Sequence, residues 1–330
     1  MKQRIEYIDI AKALLILCLL YGHMFMIARF QGYNDNVNTF AKSFVRLYAT
    51  FFMQSFFIIT GLCSSFNTDF KPFLWKNTKT ILIPGITLTI LNRYLYNLLP
   101  GNPFEYTPSV IEWFIDGGPW FIIALFSCKI IYWFIYKLKI KKQLILVGGG
   151  YLLGLMICSF FGTPNYLCYQ HTLLMLPYLC IGCLAKQYID RINHVIPIIG
   201  LVGIAVLIIE FVFELPMPIH DYSIGVSIKS FPLHIVNVLM GTAFIFWISK
   251  LININSFMQL IGEGTLIIYL LNECILKAII NLLSPIYCAT NTASLVLFYS
   301  LVYVLLVLSF VVLIKLIYSS KYLSWIVGKY

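Results

Sequence analysis

Three ionisable residues, Asp9, Lys12 and His23, stand along one long apolar stretch near the N-terminus. Each such group costs about 2.5–3.5 kcal/mol at the centre of a membrane helix on insertion scales, so a span carries them where they work. Their spacing fits one helix face. Lys12 and His23 are 11 positions apart, about three turns at ~3.6 residues per turn and ~16 Å along the axis. Asp9 precedes Lys12 by one turn and can orient it through an i, i+3 contact. Such a helix offers a cation near one end and, deeper in, an imidazole able to take a hydroxyl proton near neutral pH. Arg46 and Arg93 fall at a depth comparable to His23 in the next apolar stretches, where a buried cation can stabilise an oxyanion. Lys76 and Lys79, one turn apart at the start of the third stretch, make a phosphate-sized cation patch. Beside Lys12 they would suit a polyanionic donor. No metal is expected.

The elements that must position these groups are membrane helices. The chain has 330 residues, 60% hydrophobic and 11% charged, with a mean hydropathy of +0.87. A soluble chain carries about 25% charged residues. The expected fold is all-α, a polytopic membrane bundle of about ten helices. Spans are placed near 8–28, 40–65, 78–98, 119–138, 143–161, 172–188, 195–214, 232–250, 264–283 and 294–318, each approaching the ~20 residues a crossing needs. No repeat or polar linker divides the chain, so residues 1–330 read as a single membrane domain. The first stretch keeps Asp9 and Lys12 and lacks a small-residue cleavage site, so it reads as a retained span.

Charge supports this count. One set of span ends carries Lys2 and Arg4, then Lys71, Lys76 and Lys79, then Lys137, Lys139, Lys141 and Lys142, then Lys186 and Arg191, then Lys250, and finally Lys321 and Lys329. The alternate ends are poor in Lys and Arg. The basic set is cytoplasmic by the positive-inside rule, which puts both termini inside. The net charge of +10 is then a matter of topology, and no nucleic-acid partner is implied. The long outer loops are 99–118 and 215–231. Glu105, Glu112 and Asp116, with Trp113 and Trp120, rim the first. Carboxylates and aromatic faces suit a sugar acceptor, although acids also simply follow the charge bias of an outer loop. Lys129 and Glu273 lie near mid-depth and can pair with each other as a structural buried ion pair. Lys277 belongs to the same polar column on its outer side. Cys180 and Cys183 have redox-like spacing but sit in an apolar helix, where thiols act as small hydrophobes.

Five segments, in order, resemble those of the membrane acyltransferase family 3. The first is Arg4, Asp9 and Lys12 followed by His23. The second is Phe52 to Gly61. The third runs from Lys76 to Pro84, the fourth from Pro119 to Leu125, and the fifth from Ile261 to Asn272. More narrowly, they are similar to the fucose 4-O-acetylase-like branch of sugar O-acetyltransferases. Gln54, Thr60 and Asn272 stand where the family pattern has Pro, Ser and a late His. The resemblance implies transfer of an acyl group, usually acetyl, from cytoplasmic acyl-CoA to a hydroxyl of an envelope sugar or polysaccharide, in a multi-pass cell membrane protein of the bacterial inner membrane type. Its opening motif carries over to His23 and Lys12; with it, the residues themselves read as His23 the base, Lys12, Lys76 and Lys79 donor-binding, and Glu105, Glu112, Asp116 and Trp120 acceptor-binding. Direct transfer and an acyl-His intermediate both remain open. A secondary transporter is an alternative reading of the polar column, and a non-catalytic subunit of a polysaccharide assembly machine is another.

Overall fold

The computed structural model describes residues 6–29, 50–100, 120–161, 169–212, 231–253, 255–284 and 292–328, and every regular element among them is helical. In chain order these are α1 (Glu6–Arg29), α2 (Phe52–Cys63), α3 (Phe70–Asn77), α4 (Ile83–Leu98), α5 (Trp120–Ile135), α6 (Ile140–Phe161) and α7 (Tyr169–Ala185). They continue with α8 (Ile189–Val212), α9 (Phe231–Leu251), α10 (Ser256–Glu263), α11 (Thr265–Leu283), α12 (Thr292–Ser319) and α13 (Lys321–Ile326). Each of the ten expected segments carries a helix. The short helices α3, α10 and α13 are additions that hydropathy alone does not announce.

Among the described residues six stretches are long and apolar enough to cross a membrane. One of them, Tyr169–Ile209, has 41 residues, or about 60 Å of helix against a hydrocarbon core of ~30 Å. It is long enough for two crossings, and a 3-10 turn at Lys186–Tyr188 divides it. The surface of α12 shows why water is the wrong solvent. Leu297, Leu301, Val304 and Leu308 are exposed on one face, while Val302, Leu306, Phe310 and Ile314 are buried on the other. A helix apolar all round meets hydrocarbon where it does not meet protein.

Helices α3 and α4 are joined by a π-helical turn, Thr78–Leu82, just before Pro84. Proline has no N–H to give the preceding turn, so the wider i→i+5 pattern takes over there, with Ile83 N–H bonding the Thr78 carbonyl. The chain divides at this point into two compact units. The first comprises Met1–Arg46, Pro84–Thr107 and Ser249–Tyr330, the second Leu47–Ile83 and Pro108–Ile248.

Lipid tails are as apolar as leucine, so helices in a bilayer associate through close packing and interhelical hydrogen bonds rather than through exclusion of water. The second unit uses both. Gly61 of α2 and Gly182 of α7 face each other, and a Cβ on either would overlap the other helix's backbone, at Leu179 O or Ile58 O respectively. Gly200 and Gly203 give α8 the same close approach to α9 at Ala243 and Met240. Ser55 and Thr242 hydroxyls bond at 2.7 Å, and Gln54 meets His234 at 3.3 Å, both pairs buried between α2 and α9. Gln143 Nε2 donates to the carbonyls of Tyr136 and Leu138 at 2.7 and 2.8 Å, satisfying backbone acceptors left open beyond the end of α5. Cys180 is buried and Cys183 partly so, and both are free thiols.

The first unit holds α4 against α11 by a polar ladder. Asn92 accepts from Cys274 N–H at 3.1 Å. Lys277, 3% exposed, donates to the carbonyls of Tyr96 and Leu99 at 3.1 Å each, with its ammonium 4.1 Å from the Tyr96 ring centroid. Asn281 donates to the Pro100 carbonyl at 2.9 Å. Lys277 therefore caps the C-terminus of α4, where a cation also complements the helix dipole. Its place in the polar column is structural.

The glycine crossing yields a direct test. Gly182→Ala should lower stability by about 1–3 kcal/mol through overpacking, read as a drop in the unfolding temperature of the detergent-solubilised protein. Gly148→Ala, where an added methyl meets nothing within 4 Å, should leave that temperature unchanged or raise it slightly, since Ala is the better helix former.

Candidate active site

The first unit places α1 among α10, α11 and α12. On α1, Lys12 Nζ stands 2.6 Å from Asp9 Oδ1, with Asp9 buried and the Lys12 side chain 25% exposed. The i, i+3 contact expected from the sequence is thus formed. The charge of Asp9 is compensated locally, which a buried carboxylate requires. Opposite it lies α10. Asn255 accepts from Met258 N–H at 2.8 Å and starts this helix, and Gly262 lies against the α1 backbone at Asp9, where a Cβ would overlap the Asp9 carbonyl oxygen. Tyr318 of α12 donates to the Glu263 carbonyl at 3.0 Å and holds the other side of α10. Nearly two turns before His23, Tyr303 of α12 donates to the Leu17 carbonyl at 3.1 Å, and it packs edge-on against Tyr21, with centroids 5.6 Å apart.

His23 is half-buried, and its Nδ1 lies 2.6 Å from Oδ1 of Asn272 on α11. Asn272 is buried and its Nδ2 donates to the Tyr269 carbonyl at 2.5 Å. The residues that flank the α1 ionisable groups thus come from one sequence segment: Gly262 at Asp9 and Asn272 at His23. That segment is the fifth family-like motif. Asn272 entered the sequence reading only as a departure from a pattern, and its partner is 249 positions away. Its signal in the sequence was a polar residue in an apolar helix.

The remaining expected site residues distribute as follows. Arg93 is half-buried on α4, in the same unit as His23. Among the described residues His23 bonds to Asn272 and to no arginine. Glu273 is exposed, with Asn92 Nδ2 3.5 Å from its Oε2. Lys76 and Lys79 belong to the second unit. Lys76 is exposed on α3, and Lys79 lies in the π turn with its ammonium 4.9 Å from the Trp75 ring centroid. Lys129 of α5 is close enough to Lys76 for their charges to interact, which adds a cation that spacing alone did not group with the pair. Trp120 opens α5 and packs against His171, centroids 4.9 Å apart and planes tilted by 31°. Arg46, Glu105, Glu112 and Asp116 lie outside the described residues, as do most of the loops 99–118 and 215–231.

An imidazole presenting one nitrogen, on a helix that also carries a locally compensated lysine three turns away, has the parts needed to accept a proton near a bound anionic reactant. Comparison with known proteins adds to this geometry. The family model of acyltransferase family 3, described as an acyltransferase domain, matches residues 5–317. Neither curated proteins nor solved structures give a match. The matched residues take in α1, with its Asp9–Lys12 pair and His23, as well as α10 and α11, which supply Gly262 and Asn272. With apolar helices of spanning length and a match over nearly its whole length, the chain belongs to acyltransferase family 3 and is a multi-pass membrane acyltransferase.

Proposed function

We propose that the chain moves an acyl group, acetyl in the first instance, from cytoplasmic acyl-CoA to a hydroxyl of a cell-envelope or exported sugar, with His23 as the base. The observation that carries this reading is the half-buried imidazole of His23, tied at one nitrogen to Asn272 and three helical turns from the Asp9-bound Lys12. His23 takes the proton of the acceptor hydroxyl as its oxygen attacks the thioester carbonyl. The tetrahedral intermediate collapses, the C–S bond breaks, and the imidazolium returns the proton to the departing thiolate of CoA. Arg46 or Arg93 supplies the positive charge that the oxyanion needs. Lys12, Lys76 and Lys79 carry the donor's phosphates through charge-assisted hydrogen bonds.

In this reading residues 1–330 act as one acyltransferase domain with ten spans and both termini in the cytoplasm, in a bacterial inner membrane. Glu105, Glu112, Asp116 and Trp120 line the acceptor's approach from the outer side. The order of the five sequence segments favours the fucose 4-O-acetylase-like branch, and so a sugar acceptor.

Three measurements test these assignments. His23→Ala should insert normally and lose acyl transfer by about 100-fold or more, the loss expected when a general base is removed. Mass spectrometry of envelope glycans reads this, and normal acylation by the well-expressed variant would sink the assignment. Lys12→Ala, and separately the pair Lys76→Ala with Lys79→Ala, should raise KM for acyl-CoA more than KM for the acceptor; the opposite split would remove these lysines from the donor site. Single cysteines in 99–118, in a background cleared of native cysteines, should react with an impermeant thiol reagent on intact cells, more slowly with acceptor present but not with acyl-CoA. Labelling only from the cytoplasm would overturn the topology and the acceptor route together.

A further inference from the structure

Given His23 as the base of the proposed reaction, we propose that Asn272 is its positioning residue: it fixes the imidazole in the Nδ1–H form and so leaves Nε2 as the proton-accepting nitrogen. The reasoning starts from a carbonyl. Tyr269 O can only accept a hydrogen bond, so the Asn272 atom 2.5 Å from it must be the amide nitrogen. Turning the amide over would set two acceptor oxygens against each other at that distance. The amide oxygen therefore faces His23. It too can only accept, so the Nδ1 that lies 2.6 Å away must carry a proton and donate.

In a neutral imidazole one ring nitrogen is the donor and the other holds the lone pair. With Nδ1 protonated, the lone pair is on Nε2. Among the described residues Nε2 has no hydrogen-bond partner, and His23 is half-buried rather than sealed. The nitrogen that must meet the acceptor hydroxyl is thus the one left open. The arrangement also survives the reaction. When Nε2 takes the acceptor's proton, both ring nitrogens are donors, and the Nδ1–H to Oδ1 bond persists unchanged. Asn272 is itself held by Tyr269 one turn before it on α11, so its oxygen stays in place and the ring cannot rotate without breaking the bond to it. A neutral amide does this without placing a permanent negative charge beside the base.

The test reads the tautomer and the chemistry separately. The full-length chain is labelled with nitrogen-15 histidine and reconstituted in lipid. The His23 signals are identified by their loss in His23→Ala, because the chain has 5 histidines. Wild type should show His23 protonated at Nδ1 and bare at Nε2. Asn272→Leu should shift the neutral ring toward the Nε2–H form, and release of free CoA from acetyl-CoA by membranes containing the chain should fall about 100-fold or more, as a wrong tautomer costs in acyl transfer elsewhere. Asn272→Asp keeps an acceptor oxygen for Nδ1, while its second oxygen must be protonated or turn away from the Tyr269 carbonyl; an Nδ1–H form retained in this variant separates a lost acceptor from a damaged helix. A bare Nδ1 in the wild type, or no change of tautomer in Asn272→Leu, overturns the role of Asn272. A shifted tautomer with undiminished CoA release instead upholds Asn272 as the residue that sets the ring and removes His23 from the chemistry.

Discussion

An apolar helix that carries Asp9, Lys12 and His23 can be buried only if each polar group finds a partner, because a bilayer offers none. Lys12 answers Asp9 within the helix, at 2.6 Å. Asn272 answers His23 from α11, also at 2.6 Å. The first contact is local and follows from helix geometry. The second requires α11 to lie in a fixed register on α1, and much of the first unit serves that register. Gly262 lets α10 sit on the α1 backbone, Tyr303 and Tyr318 pin α12 to α1 and α10, and Lys277 fastens α11 to the end of α4.

Both units combine close backbone approach with hydrogen bonds between helices. In the second, small residues bring helix backbones together: Gly61 against α7, and Gly200 and Gly203 against α9. Without a hydrophobic force between helices, many short van der Waals contacts must replace it, and only residues without a Cβ allow that approach. In the first, side chains repeatedly bond to main-chain carbonyls, as Lys277, Asn281, Tyr303 and Tyr318 do. Such bonds specify position as well as adding energy, since a carbonyl lies at a fixed place on its helix.

The π turn at Thr78–Leu82 belongs to the same logic of constraint. Pro84 removes a donor, the helix widens, and Lys79 takes its place in the widened turn above Trp75. A stretch that reads in the sequence as a basic helix start running into a proline is, in three dimensions, a local change of helical register at the boundary between the two units.

By itself the sequence determined the helical membrane class, the shared face of Asp9, Lys12 and His23, and the family. These depend on composition, on periodicity within a few turns, and on short ordered motifs, all of which are local. It also singled out residue 272, but only as an asparagine where a histidine was expected. The tertiary structure alone decided that Asn272 meets His23 across 249 positions, that Gly262 is a contact point on Asp9, and that Lys277 caps the end of α4. The physical reason is that an apolar helix is hydrophobic on every side. Its pattern declares that it is buried but not which neighbour it faces, and the hydrogen-bond partners of its few polar groups are chosen only when distant helices pack.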